Sequence, residues 1–230
     1  MNTTPGRKVT VIKNGPYRVE GSIPLAKQTI VADDEGGSRD WQQGEQIEAA
    51  DAYSLCRCGQ SSNKPFCDGT HVKIDFDGTE VASREPYTDQ AEMLSGPAID
   101  LTDAQSLCAS GRFCDPDGSV WRLIGKTDDP ALREKVQRMA GNCLAGRLVV
   151  WDKATGNPLE PNHEPSIGLV EDPAADVSGP LWVRSGVTVQ SADGEVYEVR
   201  NRVTLCRCGA SENKPFCDGS HVSVGFSDGL

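Results

Sequence analysis

Residues 56–71 read CRCGQSSNKPFCDGTH, and residues 206–221 read CRCGASENKPFCDGSH. The two stretches differ only at Gln60/Ala210, Ser62/Glu212 and Thr70/Ser220, and they lie 150 residues apart. The likeness runs on past the histidine, where Val72, Ile74 and Phe76 align with Val222, Val224 and Phe226. Upstream it is weaker, but Gly15-Pro16 and Gly179-Pro180 each open a strand-like run. One unit duplicated around a long insertion explains this pattern. A solenoid needs three or more copies at a short period.

Each copy carries the spacing C-x-C-x8-C-x3-H, so the candidate ligands are Cys56, Cys58, Cys67 and His71, then Cys206, Cys208, Cys217 and His221. The chain has only three histidines, and two of them stand at equivalent places. Cysteines two apart can aim both sulfurs at one centre from a turning backbone. Cys67 and His71 are four apart, the spacing of one helical turn. Asp68 is placed as an N-cap, and Gly69 lets the backbone approach the site. A helix start there would favour an anionic cluster and disfavour an imidazolium. Two kinds of centre suit such a set. Zinc takes four N/S ligands tetrahedrally, usually from C-x2–4-C knuckles. A [2Fe–2S] cluster takes two ligands on each iron, which the pairs C-x-C and C-x3-H supply. The spacing favours the cluster and leaves structural zinc, in a protein-interaction module, as the alternative. Nine cysteines, an odd number, in a chain whose first residues lack an apolar signal core point to metal or redox chemistry in a reducing cytoplasm, and not to a disulfide scaffold.

C-x-C-x2-S-x3-P-x-C-D-G-S-H resembles the signature of the CDGSH iron–sulfur family, the NEET proteins. Both copies match it through Ser61, Pro65, Cys67, Asp68, Gly69 and His71 and through Ser211, Pro215, Cys217, Asp218, Gly219 and His221; Thr70 replaces the serine in the first copy and keeps the hydroxyl. The resemblance implies two [2Fe–2S] clusters, each held by three cysteines and one histidine. It implies electron or cluster transfer in place of substrate turnover, and paired CDGSH units beneath a strand-rich cap. One-motif members of the family are similar to this chain as homodimers, so a monomer with an internal pseudo-dimer is expected.

The fold class expected is therefore α+β and strand-rich. Two pseudo-twofold-related CDGSH units (1–91 and 174–230) share a β-rich cap, with a partly helical insertion at 92–173. Alternation at Val9, Val11, Tyr17, Val19 and Ile30 marks strands, and Asp33–Gly37 and Gln42–Gly44 read as turns. Residues 181–205 read as strands broken at Ser185-Gly186 and at Asp193-Gly194, a hairpin signal. In the insertion, Leu101–Ala109 and Pro130–Ala140 look helical, the latter capped by Asp129 with Pro130 at its first position. Leu148–Trp151 reads as a buried strand, and the Pro-rich run between 156 and 173 as a returning linker.

Cys108, Cys114, Cys143 and His163 would make a third Cys3His set, but C-x5-C-x28-C is not a recognisable ligand spacing. NCLAGRLVVWD faintly resembles the tail of a ferredoxin motif without its partner cysteines. These thiols are read as small buried apolar groups. Arg57 and Arg207 either offset cluster charge or are solvated. Lys64 and Lys214 read as surface groups. Ser61 and Ser211 either donate to cluster sulfur or form turns. Trp41, Trp121, Trp151 and Trp182 read as packing residues. A formal net charge of −11 argues against a nucleic-acid partner, and no apolar run is long enough to cross a membrane. The partner expected is a redox or apo-acceptor protein. No dinucleotide fingerprint, nucleophile triad or HExxH helix stands in the insertion, so a carrier is expected, with an oxidoreductase site in the insertion as the weaker alternative.

Overall fold

The computed structural model describes residues 6–229. The first half runs β1 (Lys8–Val11), β2 (Tyr17–Glu20), β3 (Leu25–Ala32), β4 (Ser38–Ile47), β5 (Ala52–Leu55) and a single helical turn, α1 (Thr70–Lys73). The middle runs α2 (Tyr87–Gln90), β6 (Glu92–Ser95), β7 (Ile99–Asp103), α3 (Val120–Leu123), α4 (Pro130–Asn142) and β8 (Leu148–Asp152). The second half runs β9 (Ser166–Asp172), β10 (Val177–Arg184), β11 (Thr188–Gln190), β12 (Arg202–Leu205) and α5 (Ser220–Ser223).

Each half builds an antiparallel three-strand unit, β1-β2-β5 or β9-β10-β12, and each unit takes its next strand from the other half. β11 adds in parallel to β1, with Lys8 opposite Thr188, and β3 adds in parallel to β9, with Leu25 opposite Ile167. β4 extends the second sheet beyond β3. The alternating residues of these strands fill one shared core: Val9, Val11, Tyr17, Val19 and Leu55 from the first half meet Leu169, Leu181, Val183, Val189 and Leu205 from the second. The period-2 pattern thus specified which faces turn inward.

Several local expectations are corrected. Gln42–Gly44 lies inside β4, at a break in its register with β3, so Gly44 marks a bulge and not a turn. Asp33–Gly37 and Asp193-Gly194 do turn, through Gly36 N–H to Asp33 O and Gly194 N–H to Ser191 O. Leu101–Ala109 is not helical. Ile99 and Leu101 point inward from β7, which pairs with β6 on one side and β8 on the other, and only Gln105–Leu107 coils into a 3-10 turn. Ser166–Asp172, read as linker, is the central strand β9. α4 forms as expected, with the Asp129 carboxylate accepting from the Ala131 N–H. Val136, Met139 and Ala140 on α4 pack on Ile99, Leu101, Leu148 and Val150 to give the insertion its own core.

The insertion is fastened to the second half. The buried Arg202 guanidinium on β12 donates to the carbonyls of Ala140, Gly141 and Cys143 at the end of α4 and pairs with Glu160 at 2.8 Å. The Ala140 and Cys143 carbonyls also accept from the N–H groups of Cys143 and Gly146, so Arg202 adds a second donor to a helix C-terminus, where carbonyls lack intrahelical partners. Arg112 and Asp172 make a second tie at 2.5 Å. Trp41, Phe113 and Trp182 stack nearby, with ring centroids 4.5 Å and 4.8 Å from Trp41. Arg202→Leu breaks the buried pair with Glu160 and removes a donor from three carbonyls, so a loss of about 3–5 kcal/mol is expected in urea unfolding. A loss under about 0.5 kcal/mol, the range of an inert surface change, would show that Arg202 does not hold the insertion.

Candidate metal centres

The four candidate ligands of each copy gather from two short loops. The C-x-C loop leaves β5 or β12, and the C-D-G-[ST]-H loop returns to it. The return is pinned by backbone bonds: Cys56 N–H to Pro65 O and Cys67 N–H to Ser54 O in the first copy, and Cys206 N–H to Pro215 O and Cys217 N–H to Thr204 O in the second. Cys56 and Cys58 sulfurs stand 3.8 Å apart, and Cys67 Sγ is 3.3 Å from His71 Nδ1. The second copy repeats this at 3.7 Å and 3.4 Å. Two ligands on one tetrahedral metal with bonds near 2.0–2.3 Å sit about 3.5–3.8 Å apart, so the Cys–Cys pairs have the separation that one shared metal ion requires and the Cys–His pairs stand slightly inside it, at 3.3 Å and 3.4 Å. Burial pushes the Cys58 thiol up to about 11 and Cys217 well above the thiol range. A metal supplies the positive charge that would make these buried sulfurs thiolates. The residues therefore fit an iron–sulfur centre.

Local chemistry fixes the loops. α1 and α5 begin only at residues 70 and 220, so Cys67 and Cys217 lie outside a helix; the expected one-turn spacing is instead a left-handed bend at Gly69 (φ 86°) and Gly219 (φ 90°). The Asp68 carboxylate accepts from the Ser62 hydroxyl, the Ser62 N–H and the Thr70 N–H, which holds it well below the usual carboxylate range. Ser61 and Ser211 donate to the carbonyls of Phe66 and Phe216, at 2.6 Å and 2.7 Å, and so form turns. Lys214 donates to the Ser211 carbonyl. Arg57 and Arg207 are buried, at 1% and 3% exposure, which removes the solvated reading.

The two centres meet across the pseudo-twofold. A methyl group on Gly59 would stand 2.4 Å from the Cys208 carbonyl oxygen, and one on Gly209 would stand 2.6 Å from that of Cys58. The Tyr17 hydroxyl of the first half donates to the carbonyls of Cys206 and Pro215 in the second, at 2.8 Å and 2.9 Å. The centres differ in cover. His71 is half-buried, whereas His221 is 4% exposed. The insertion provides the cover: Ser110 Oγ lies 2.2 Å from where a Cβ on Gly219 would be, and the Ser106 carbonyl accepts from the Asn213 amide. Burial, with Arg207 next, lowers the His221 pKa to about 4.

The fold brings together three of the four residues of the third set that the spacing argued against. Cys108, Cys114 and Cys143 line one small cavity of about 20 Å³ together with Phe113, Leu144 and Arg147. Burial pushes the Cys114 thiol up to about 12. His163 is not among the lining residues; its ring packs edge-on against Trp182 at 5.4 Å. The signal lay in C-x5-C, with the third cysteine brought in from the end of α4.

Comparison with known families supports this division of the chain. Residues 14–72 and 178–222 match the family described as iron-binding zinc finger CDGSH type. Residues 94–153 match the family described as divergent 4Fe-4S mono-cluster. No curated protein and no solved structure matches the chain.

Proposed function

Because the chain is a tandem CDGSH iron–sulfur domain protein with a central insertion, we propose that it holds two [2Fe–2S] clusters and serves in electron or cluster transfer. The observation that carries this reading is the twice-repeated geometry of two ligand pairs, each close to the spacing for one metal ion. A bound [2Fe–2S] cluster supplies one-electron chemistry. Cys56 with Cys58, and Cys67 with His71, would each hold one iron of the first; Cys206 with Cys208, and Cys217 with His221, would hold those of the second. Purified protein should yield about two irons and two acid-labile sulfides per site. Stoichiometric zinc without sulfide would overturn the reading.

The strand exchange already occupies the surface that a one-motif unit would offer a second copy, so we read the protein as a monomer. Light scattering should give a mass near 24.7 kDa, and a mass near twice that contradicts it. We read it as a carrier for a redox or apo-acceptor partner in a thiol-reducing compartment, the cytoplasm. No helix among the described residues is long and apolar enough to cross a membrane.

A second reading is carried by the cavity of Cys108, Cys114 and Cys143 and by the 4Fe-4S match over the same segment. These three thiols would hold a further iron–sulfur centre. Cys114→Ser should then lower the iron content while the [2Fe–2S] absorbance stays. Unchanged iron would return the three cysteines to packing.

A further inference from the structure

The two CDGSH units pair their three strands in the same order, and this exposes a difference in charge that the repeated motif hides. Val11 lies opposite Tyr17, and Tyr17 opposite Leu55; Leu169 lies opposite Leu181, and Leu181 opposite Leu205. Ile12 and Lys13 therefore occupy the places of Val170 and Glu171. The buried arginines respect this equivalence, since Arg57 donates to the Ile12 carbonyl and Arg207 to the Val170 carbonyl. The 150-residue offset likewise sets Gly78 in the place of Asp228.

Beside the second centre, Arg207 pairs with Glu171 at 2.7 Å and with Asp228, whose side chains are only 11% and 1% exposed. Beside the first, Arg57 meets no carboxylate: it donates to the Gly78 carbonyl at 2.6 Å, where Arg207 meets Asp228, and to the Ile12 carbonyl at 3.4 Å, as Arg207 does to that of Val170. Its Nε has no partner among the described residues. The charged group at the Glu171 position is Lys13, an exposed cation. Asp77 faces Arg57 electrostatically but is fully exposed, so water screens it. Of the other charges, Asp68 and Asp218 belong to both motifs, Asp172 near His221 is paired with Arg112, and Glu212, which stands where the first motif has Ser62, is an exposed carboxylate on the second side only.

We propose that Glu171 and Asp228, replaced by Lys13 and Gly78 in the first unit, make the second CDGSH centre the harder to reduce of the two. The inference rests on the two-cluster reading. Reduction adds one negative charge to a cluster. Two buried carboxylates oppose that charge where the dielectric is low, and an unneutralised buried guanidinium favours it. The half-buried His71 acts in the same direction, because solvent near the first centre also stabilises added charge. In the protein holding one electron, that electron resides in the first unit.

The test is a potentiometric titration followed by the electron paramagnetic resonance of the reduced [2Fe–2S] centres. Wild type should titrate in two one-electron steps separated by at least about tenfold in equilibrium constant, or about 59 mV. Glu171→Gln and Asp228→Asn should each raise the lower step and leave the upper one in place. If these buried changes unfold the chain, Lys13→Glu supplies the reverse test and should lower only the upper step, by less than the buried changes because water screens this exposed position as it does Asp77. A single unresolved wave in wild type, or a Glu171→Gln that moves the upper step, overturns the inference while the clusters stand. Absence of labile sulfide overturns the two-cluster reading itself and this inference with it, and that result is read before any titration.

Discussion

Gly59→Ala is expected to abolish both CDGSH centres, including the one whose ligands it does not touch. Gly59 has φ 75°, a conformation costing an alanine about 1–2 kcal/mol. The larger effect is steric. The new methyl would fall 2.4 Å from the Cys208 carbonyl oxygen and 2.8 Å from its carbon. Both are backbone atoms of a ligand residue of the other copy, and they cannot move without taking Cys208 with them. Losses beyond about 4 kcal/mol come from a short list of causes, and overpacking against fixed backbone is one of them. Gly69→Ala is the control, because its φ is 86° yet nothing lies within 4 Å of the added carbon. It should cost only the conformational term and spare the second centre. Visible absorbance and iron content of the two variants decide the matter. If Gly59→Ala lost only the first signal, the contact between the ligand loops would not be structural.

Acid should bleach the clusters in two phases, the first copy well before the second. A proton competes with iron for the imidazole lone pair. At His71 the ring is half-buried, and a proton can reach it from solvent. His221 lies beneath the 106–112 segment, where burial lowers its pKa to about 4. The sign follows directly. A base whose folded pKa is depressed stays neutral as pH falls through the unfolded value near about 6.5, and it opposes folding only below that value, where the unfolded chain binds the proton. The fast phase near pH 5.5 should exceed the slow one by about tenfold, since the covered site must first open locally. His71→Cys should remove the fast phase and His221→Cys the slow one. Each replaces the protonatable ligand by a thiolate. A single phase in wild type, unchanged by His71→Cys, would show that cover over the histidine does not set the rate.

The two candidate loops were legible in the sequence because one pattern of sixteen adjacent residues recurs with only three differences. The β-rich cap was legible wherever one face is wet, as at Val9, Val11, Tyr17 and Val19, whose inward positions alternate with polar ones. β9 escaped because it is buried almost throughout and flanked by prolines, so it carries no alternation to read. At β7 tertiary pairing decided the conformation. Thr102 and Asp103, inside the stretch that read as helical, lie opposite Val149 and Leu148 in a strand. The grouping of Cys108, Cys114 and Cys143 depends on α4 folding back on β8, and the exchange of β3 and β11 depends on partners far along the chain. Neither is written in any local window.

That exchange also sets a timetable for synthesis. β3 emerges with its parallel partner β9 more than a hundred residues away, and β1 waits for β11, its Lys8 opposite Thr188. Contacts so distant in sequence close late. The Cys56–His71 loops are complete early in translation, yet Gly59 has nothing to rest on until Cys208 has been made. A nascent chain stalled in the insertion would show an apolar sheet edge and four unbraced candidate ligands to solvent. Iron delivered at that stage would meet an unfinished cradle, so loading belongs after release from the ribosome, when the two halves of the duplication can close on each other together.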